Sequence, residues 1–137
     1  MNHQLAATNR DLGGVVTVTP ENVSRIGGIP HLAKLVFRTL ARVRHGSMTV
    51  TLPDGRRLLF RGTEPGEDAE IIIRDYGLTR RFFAGGDLGA AEAFLDGMWD
   101  SPNVTAFLQF FIRNKDSLQD KLTGMPAVRF LSRLAHM

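Results

Sequence analysis

The 137-residue chain contains no cysteine. That excludes a disulfide framework, a thiolate metal site and a cysteine nucleophile. It also lacks an apolar run of bilayer length. The longest uncharged stretch of its C-terminal half, Ser101 to Ile112, falls well short of the roughly 20 residues needed to cross a membrane. The first residues, Met1 to Arg10, are polar and carry no apolar centre of a signal peptide, so a cytoplasmic location is expected. No glycine-rich phosphate loop and no G-x-S-x-G nucleophile elbow occurs. The histidines, at positions 3, 31, 45 and 136, are not at ligand spacing, so neither a metal nor a cofactor is expected.

What is present is an ordinary globular composition with an uneven charge distribution. The length suits one domain, large enough to bury a core without a staple. Formal charge is +6 over residues 1–61, −6 over 62–112 and +3 over 113–137. Basic ends around an acidic middle either neutralise one another in the fold or leave a basic surface for an anionic partner.

The pattern along the chain reads as α+β. Residues 1–28 form a lead-in with a short strand within Val15–Thr19, and 29–137 form the single domain. A helix starting at Pro30 buries Leu32, Val36, Leu40 and Val43, and Gly46 closes it. Met48, Val50 and Leu52 alternate with polar residues before the turn Pro53-Asp54-Gly55, and Arg56–Arg61 return as a second strand. A polar loop over 62–68, a strand over 69–74 and another over 78–84 complete an antiparallel sheet of four to five strands. Asp87 caps a helix that stops at Gly97. Ser101-Pro102 opens a further helix with Val104, Phe107, Leu108, Phe111 and Ile112 on its buried face. A last amphipathic segment follows Pro126.

Three groups of side chains carry a functional alternative beside a structural one. Glu92 and Asp96 share a helical face that Asp100 could extend, and two close carboxylates can act as general acid and base. The plainer expectation is that they answer arginines such as Arg80 and Arg81. The aromatics Phe82, Phe83, Phe94, Trp99, Phe107, Phe110 and Phe111 lie within thirty residues of one another. They form either the core or the lining of an apolar cleft. Lys34, Arg38 and Arg42 recur every four residues, as a solvated face or as a contact for lipid phosphates, each cation worth about 1 kcal/mol at an anionic surface. Nucleic acid is not expected as a partner, because these cations are not interleaved with exposed aromatics.

The stretch Gly86-Asp87-Leu88-Gly89-Ala90-Ala91-Glu92-Ala93-Phe94-Leu95-Asp96-Gly97-Met98-Trp99 resembles the G-x-L-G-x-x-E-A-Y-x-D-G-x-W segment of cyclopropane-fatty-acyl-phospholipid synthases and related fatty-acid methyltransferases. The hairpin around Leu52-Pro53-Asp54-Gly55 matches the L-P-D-G that precedes it there. Phe94 replaces the usual Tyr, and Met98 stands where a second Trp is common. The resemblance spans residues 30–136 and falls in the family's N-terminal, non-catalytic domain. It implies a sterol-carrier-like α+β fold that handles lipid for an S-adenosylmethionine-dependent methyltransferase domain or subunit. It carries over no catalytic or cofactor residue. On this reading Asp87, Gly89, Glu92, Asp96 and Gly97 are structural members of the motif. Lys34, Arg38 and Arg42 would meet a phospholipid surface at the inner face of the membrane. Phe82, Phe94, Trp99, Phe107 and Phe111 would contact acyl chain or catalytic domain. The alternative is an interaction domain that organises a separate methyltransferase, or a homo-oligomer, without touching lipid.

Overall fold

The structure, a computed structural model, describes residues 14–121 and has a β-hairpin at its centre. Strands β2 (His45–Thr51) and β3 (Arg57–Arg61) pair antiparallel, placing Met48 opposite Phe60 and Val50 opposite Leu58. At the turn, the Asp54 carboxylate accepts from the Arg56 backbone N–H at 3.0 Å and from Arg56 Nε at 2.8 Å. β1 (Val15–Thr17) lies parallel to the outer side of β3. The sheet thus begins inside the stretch read from sequence as a lead-in.

The chain then crosses from one side of β2 to the other through only Gly62 and Thr63. Gly62 N–H donates to Gly46 O and Glu64 N–H to Arg44 O, both at 2.8 Å. Strand β4 (Glu64–Ile73) follows, parallel to β2 on its far side, with a register shift between His45 and Ser47. The crossover presses backbone on backbone. A Cβ at Gly46, Gly62 or Gly66 would overlap main-chain atoms of Glu67, Arg44 or the His45–Gly46 link, respectively. With the two-residue β5 (Trp99–Asp100) antiparallel to β4, the strand order is β1-β3-β2-β4-β5. The α+β class holds, but the sheet is mixed rather than antiparallel. Parallel neighbours need a long return path, and here β3 itself supplies it.

Helices cover one face. α1 (His31–Leu40) buries Ala33, Phe37 and Leu40, and the Phe37 ring lies 5.5 Å from that of Phe60. It ends at Leu40, before the expected Gly46, so Arg42 and Val43 belong to the following turn. Residues 78–84, expected as a strand, form the start of α2 (Gly77–Leu95). A short apolar run does not distinguish strand from helix by periodicity. At the start of the helix, Asp75 Oδ1 accepts from Gly77 N–H at 2.8 Å, and Thr79 Oγ1 donates to Tyr76 O at 2.7 Å. α3 (Val104–Arg113) and α4 (Lys115–Lys121) complete the described chain. Asn103, not Ser101, caps α3, accepting from Ala106 N–H at 3.0 Å. Ser101 instead ties the preceding link to β4, donating to Glu70 O at 2.6 Å. The segment after Pro126 lies outside the described residues.

α3 is rotated relative to its sequence reading. Phe110 is fully buried and Phe107 and Phe111 are half-buried, while Val104, Leu108 and Ile112 face outward. The rotation follows from Asn114, at the helix C-terminus, whose side chain is also fully buried. Its Oδ1 accepts from Arg44 N–H at 3.1 Å and His45 N–H at 2.9 Å. Its Nδ2 donates to His45 O and Phe110 O, both at 2.9 Å. Every donor and acceptor position of this amide is used. Beside it, Arg113 grips Glu67 through two hydrogen bonds of 2.8 and 3.0 Å.

Asn114→Ala leaves several buried backbone groups unpaired, each costing about 1–3 kcal/mol. A loss of roughly 3 kcal/mol is therefore expected in urea unfolding, against less than about 0.5 kcal/mol for the exposed Gln109→Ala. The Arg113 hydrogen bonds hold the Glu67 carboxyl below its ordinary range. A lowered carboxylate contributes stability above its unfolded value and loses it as pH falls. The Tm gap between wild type and Glu67→Gln is expected at neutral pH and closes as pH drops below about 4.5. Thermal unfolding across a pH series measures it.

Candidate functional site

The segment from Gly86 to Trp99 folds as one closed unit. α2 breaks at Gly86, where φ is +63° and ψ −140°, a region open essentially to glycine alone. The two halves of the helix then approach so closely that a Cβ on Gly89 would fall on the Arg81 carbonyl oxygen. Arg81 also reaches the end of the second half, donating from Nη1 to Asp96 Oδ2 at 2.6 Å. At Gly97 (φ +77°) the helix turns left-handed. Its N–H bonds Phe94 O at 3.0 Å and that of Met98 bonds Ala93 O at 2.9 Å, a Schellman closure. Trp99 then lies buried against the same helix, its Nε1–H donating to Ala90 O at 2.8 Å.

These contacts assign roles to the motif residues. Gly89 and Gly97 are demanded by sterics and backbone angle. Asp96 meets Arg81, the structural outcome expected for it, while Asp100 faces Arg74 at 3.8 Å and Glu92 points into solvent. The three carboxylates are therefore not brought together as an acid–base pair. Asp87 departs from expectation: its Oδ1 is buried without a hydrogen-bond partner, and the helix cap predicted for it is not formed.

Behind the motif runs a row of rings. Phe94 lies 5.0 Å from Trp99, Trp99 5.1 Å from Phe107, Phe107 5.0 Å from Phe111, and Phe111 5.5 Å from Phe110. Each contact of this kind is worth about 0.5–1.5 kcal/mol beyond its buried area. Four of the five aromatics singled out from sequence are thus joined. Phe82 is not among them, its ring partner being Phe83 at 5.6 Å. The rings touch one another, which leaves no width between them for an acyl chain. A depression of about 280 Å³ lies apart from the row, lined by Glu67, Gln109, Ile112 and Arg113. On the outer side of the row, Val104, Leu108 and Ile112 form an exposed aliphatic ridge along α3, Ile112 at 68% exposure.

The basic stripe is only partly a stripe. Lys34 Nζ donates to Ile26 O at 2.6 Å and Ser24 O at 3.2 Å, tying α1 to the short helical turn Val23–Arg25. Arg38 is exposed in the last turn of α1, and Arg42 is exposed beyond it. Sequence reasoning missed Asn114, whose signal is weak: one polar residue after an apolar helical face. Among the described residues, no helix is long and apolar enough to cross a membrane.

Gly89→Ala is expected to cost at least about 3 kcal/mol or to prevent folding, since backbone must move. Gly85→Ala, where an added Cβ meets nothing within 4 Å, should be neutral or stabilising by up to about 1 kcal/mol. Thermal unfolding of the pair separates close packing from helix propensity. In comparisons with models of known protein families, with curated proteins and with solved structures, the chain matches none.

Proposed function

We propose that this chain is a non-catalytic, lipid-handling accessory domain of an S-adenosylmethionine-dependent methyltransferase acting on unsaturated phospholipid acyl chains, of the cyclopropane-fatty-acid-synthase kind. The observation that carries the reading is the Gly86–Trp99 unit. Gly89 is required by a close backbone approach, Gly97 by its left-handed turn, and Trp99 closes the unit through its bond to Ala90 O. A resemblance seated on such positions concerns architecture and not composition alone. The exposed ridge of Val104, Leu108 and Ile112 supplies apolar surface for the work, as such patches do at lipid or protein contacts.

A second reading, an interaction domain that organises the methyltransferase without binding lipid, is favoured by one specific observation. The aromatic row is filled by its own rings, so its apolar character is presented at the ridge and not in a tunnel.

Adding the chain to a separately purified methyltransferase domain of this kind tests both. On the first reading, turnover of unsaturated phospholipid vesicles rises and the chain co-sediments with those vesicles. Stimulation without co-sedimentation would establish the second reading instead. No stimulation, with S-adenosylmethionine bound tightly by the chain itself, would remove both.

A further inference from the structure

Among the described residues, cations from the two basic ends of the sequence, far apart in the chain, converge at one end of the sheet. The crossover brings Arg61 and Gly62 against Arg44 and Gly46. The Asn114 amide bonds the backbone of Arg44 and His45, which draws Lys115 to the same end. Arg38 and Arg42 lead into it from α1. Arg38, Arg42, Arg44 and Arg61 are all exposed, and Lys115 is half-buried. Among the described residues none of the five has an acidic partner at ion-pair distance; the ion pairs use Arg56, Arg74, Arg81 and Arg113.

The acidic groups nearby do not cancel this rim. Glu67 is neutralised by Arg113. Asp68, which accepts from the neutral Ser47 Oγ at 2.7 Å and keeps its charge, Glu64, opposite His45, and Asp116, in the first turn of α4, remain against five cations. Beside the rim, two residues before Asn114, stands the exposed Ile112. A basic border with an exposed aliphatic side chain suits the boundary between headgroups and acyl chains. Among the described residues it lacks the exposed aromatic platform on which bases stack.

We infer that this crossover end, with Arg44 and Arg61 at its centre and Arg38, Arg42 and Lys115 around them, is the surface that docks on an anionic phospholipid bilayer. The inference rests on the lipid-handling reading; it keeps Arg38 and Arg42 of the helical stripe expected from sequence and moves the centre of the surface to Arg44 and Arg61. Lys34, spent on the carbonyls of Ser24 and Ile26, is outside it.

The test is co-sedimentation of the whole chain with vesicles of phosphatidylcholine, with and without phosphatidylglycerol. It compares wild type, the double variant Arg44→Gln/Arg61→Gln, and Arg57→Gln at the opposite end of β3, with circular dichroism to confirm folding. Wild type is expected to bind only vesicles containing phosphatidylglycerol, and less at raised salt. The double variant should lose about thirtyfold in partitioning, from about 1 kcal/mol per cation. Arg57→Gln should stay within about twofold, since screening confines each cation's effect to its own end. Equal losses in both, or none in the double variant, would overturn the assigned surface while leaving lipid binding intact. Wild type that ignores phosphatidylglycerol, or prefers a DNA duplex to the vesicles, would overturn the lipid reading as well.

Discussion

One buried amide holds the architecture together. Asn114 joins the end of α3 to the start of β2, across 70 positions of sequence, by satisfying backbone groups that the bulge there leaves without strand partners. The irregularity and the clamp imply each other. Because Gly62 and Thr63 cross the head of β2 so closely, the ladder cannot begin regularly at Arg44 and His45, and buried N–H groups must find a partner. An amide supplies two acceptor and two donor positions at one point, whereas a carboxylate has no donor and a hydroxyl only one. Once Asn114 is seated, the rotation of α3 follows. Phe110 goes inward, Phe107 and Phe111 reach Trp99 and each other, and the aliphatic ridge is left outside.

The same clamp organises the electrostatics. An acidic middle between basic ends suggests, in one dimension, a chain that neutralises itself. In three dimensions the acids are partly spent on local tasks, with Asp54 at its turn, Glu67 on Arg113, Asp96 on Arg81 and Asp75 at a helix start. Among the described residues, Arg113 of the C-terminal end cancels Glu67 of the acidic middle, while Lys115 is drawn to the cations of the N-terminal end at the head of β2.

Much of this was legible in the residues. The alternation of Met48, Val50 and Leu52 and the turn at Pro53-Asp54-Gly55 define the hairpin, and Gly97 ends its helix where a left-handed residue is needed. What escaped were features that depend on partners remote in sequence. The parallel pairing of β2 with β4 cannot be inferred from either strand alone, and β4 begins at Glu64 inside a stretch that reads as a polar loop. Residues 78–84 carry a pattern that both helix and strand accept, and they are helical here. Within the candidate site, the rings of Phe94, Trp99, Phe107 and Phe111 were gathered as expected, whereas Lys34 turned inward to cap a neighbouring turn. The carbonyls it serves belong to residues eight and ten positions earlier, beyond the reach of helical spacing.

The shortness of β5 has a consequence for colloidal behaviour. It shields only Ile72 and Ile73 of the ten-residue β4, so the rest of that strand borders the sheet's thinnest margin. Open margins of this kind invite another molecule to add a strand and seed precipitation. Along this stretch stand Glu64, Pro65, Glu67, Asp68 and Glu70. The proline withholds a donor, and the carboxylates other than Glu67, which Arg113 neutralises, would face their own counterparts in any copy that tried to extend the sheet. The acidic middle of the chain thereby keeps neighbouring molecules apart along the flank where their backbones could otherwise fuse.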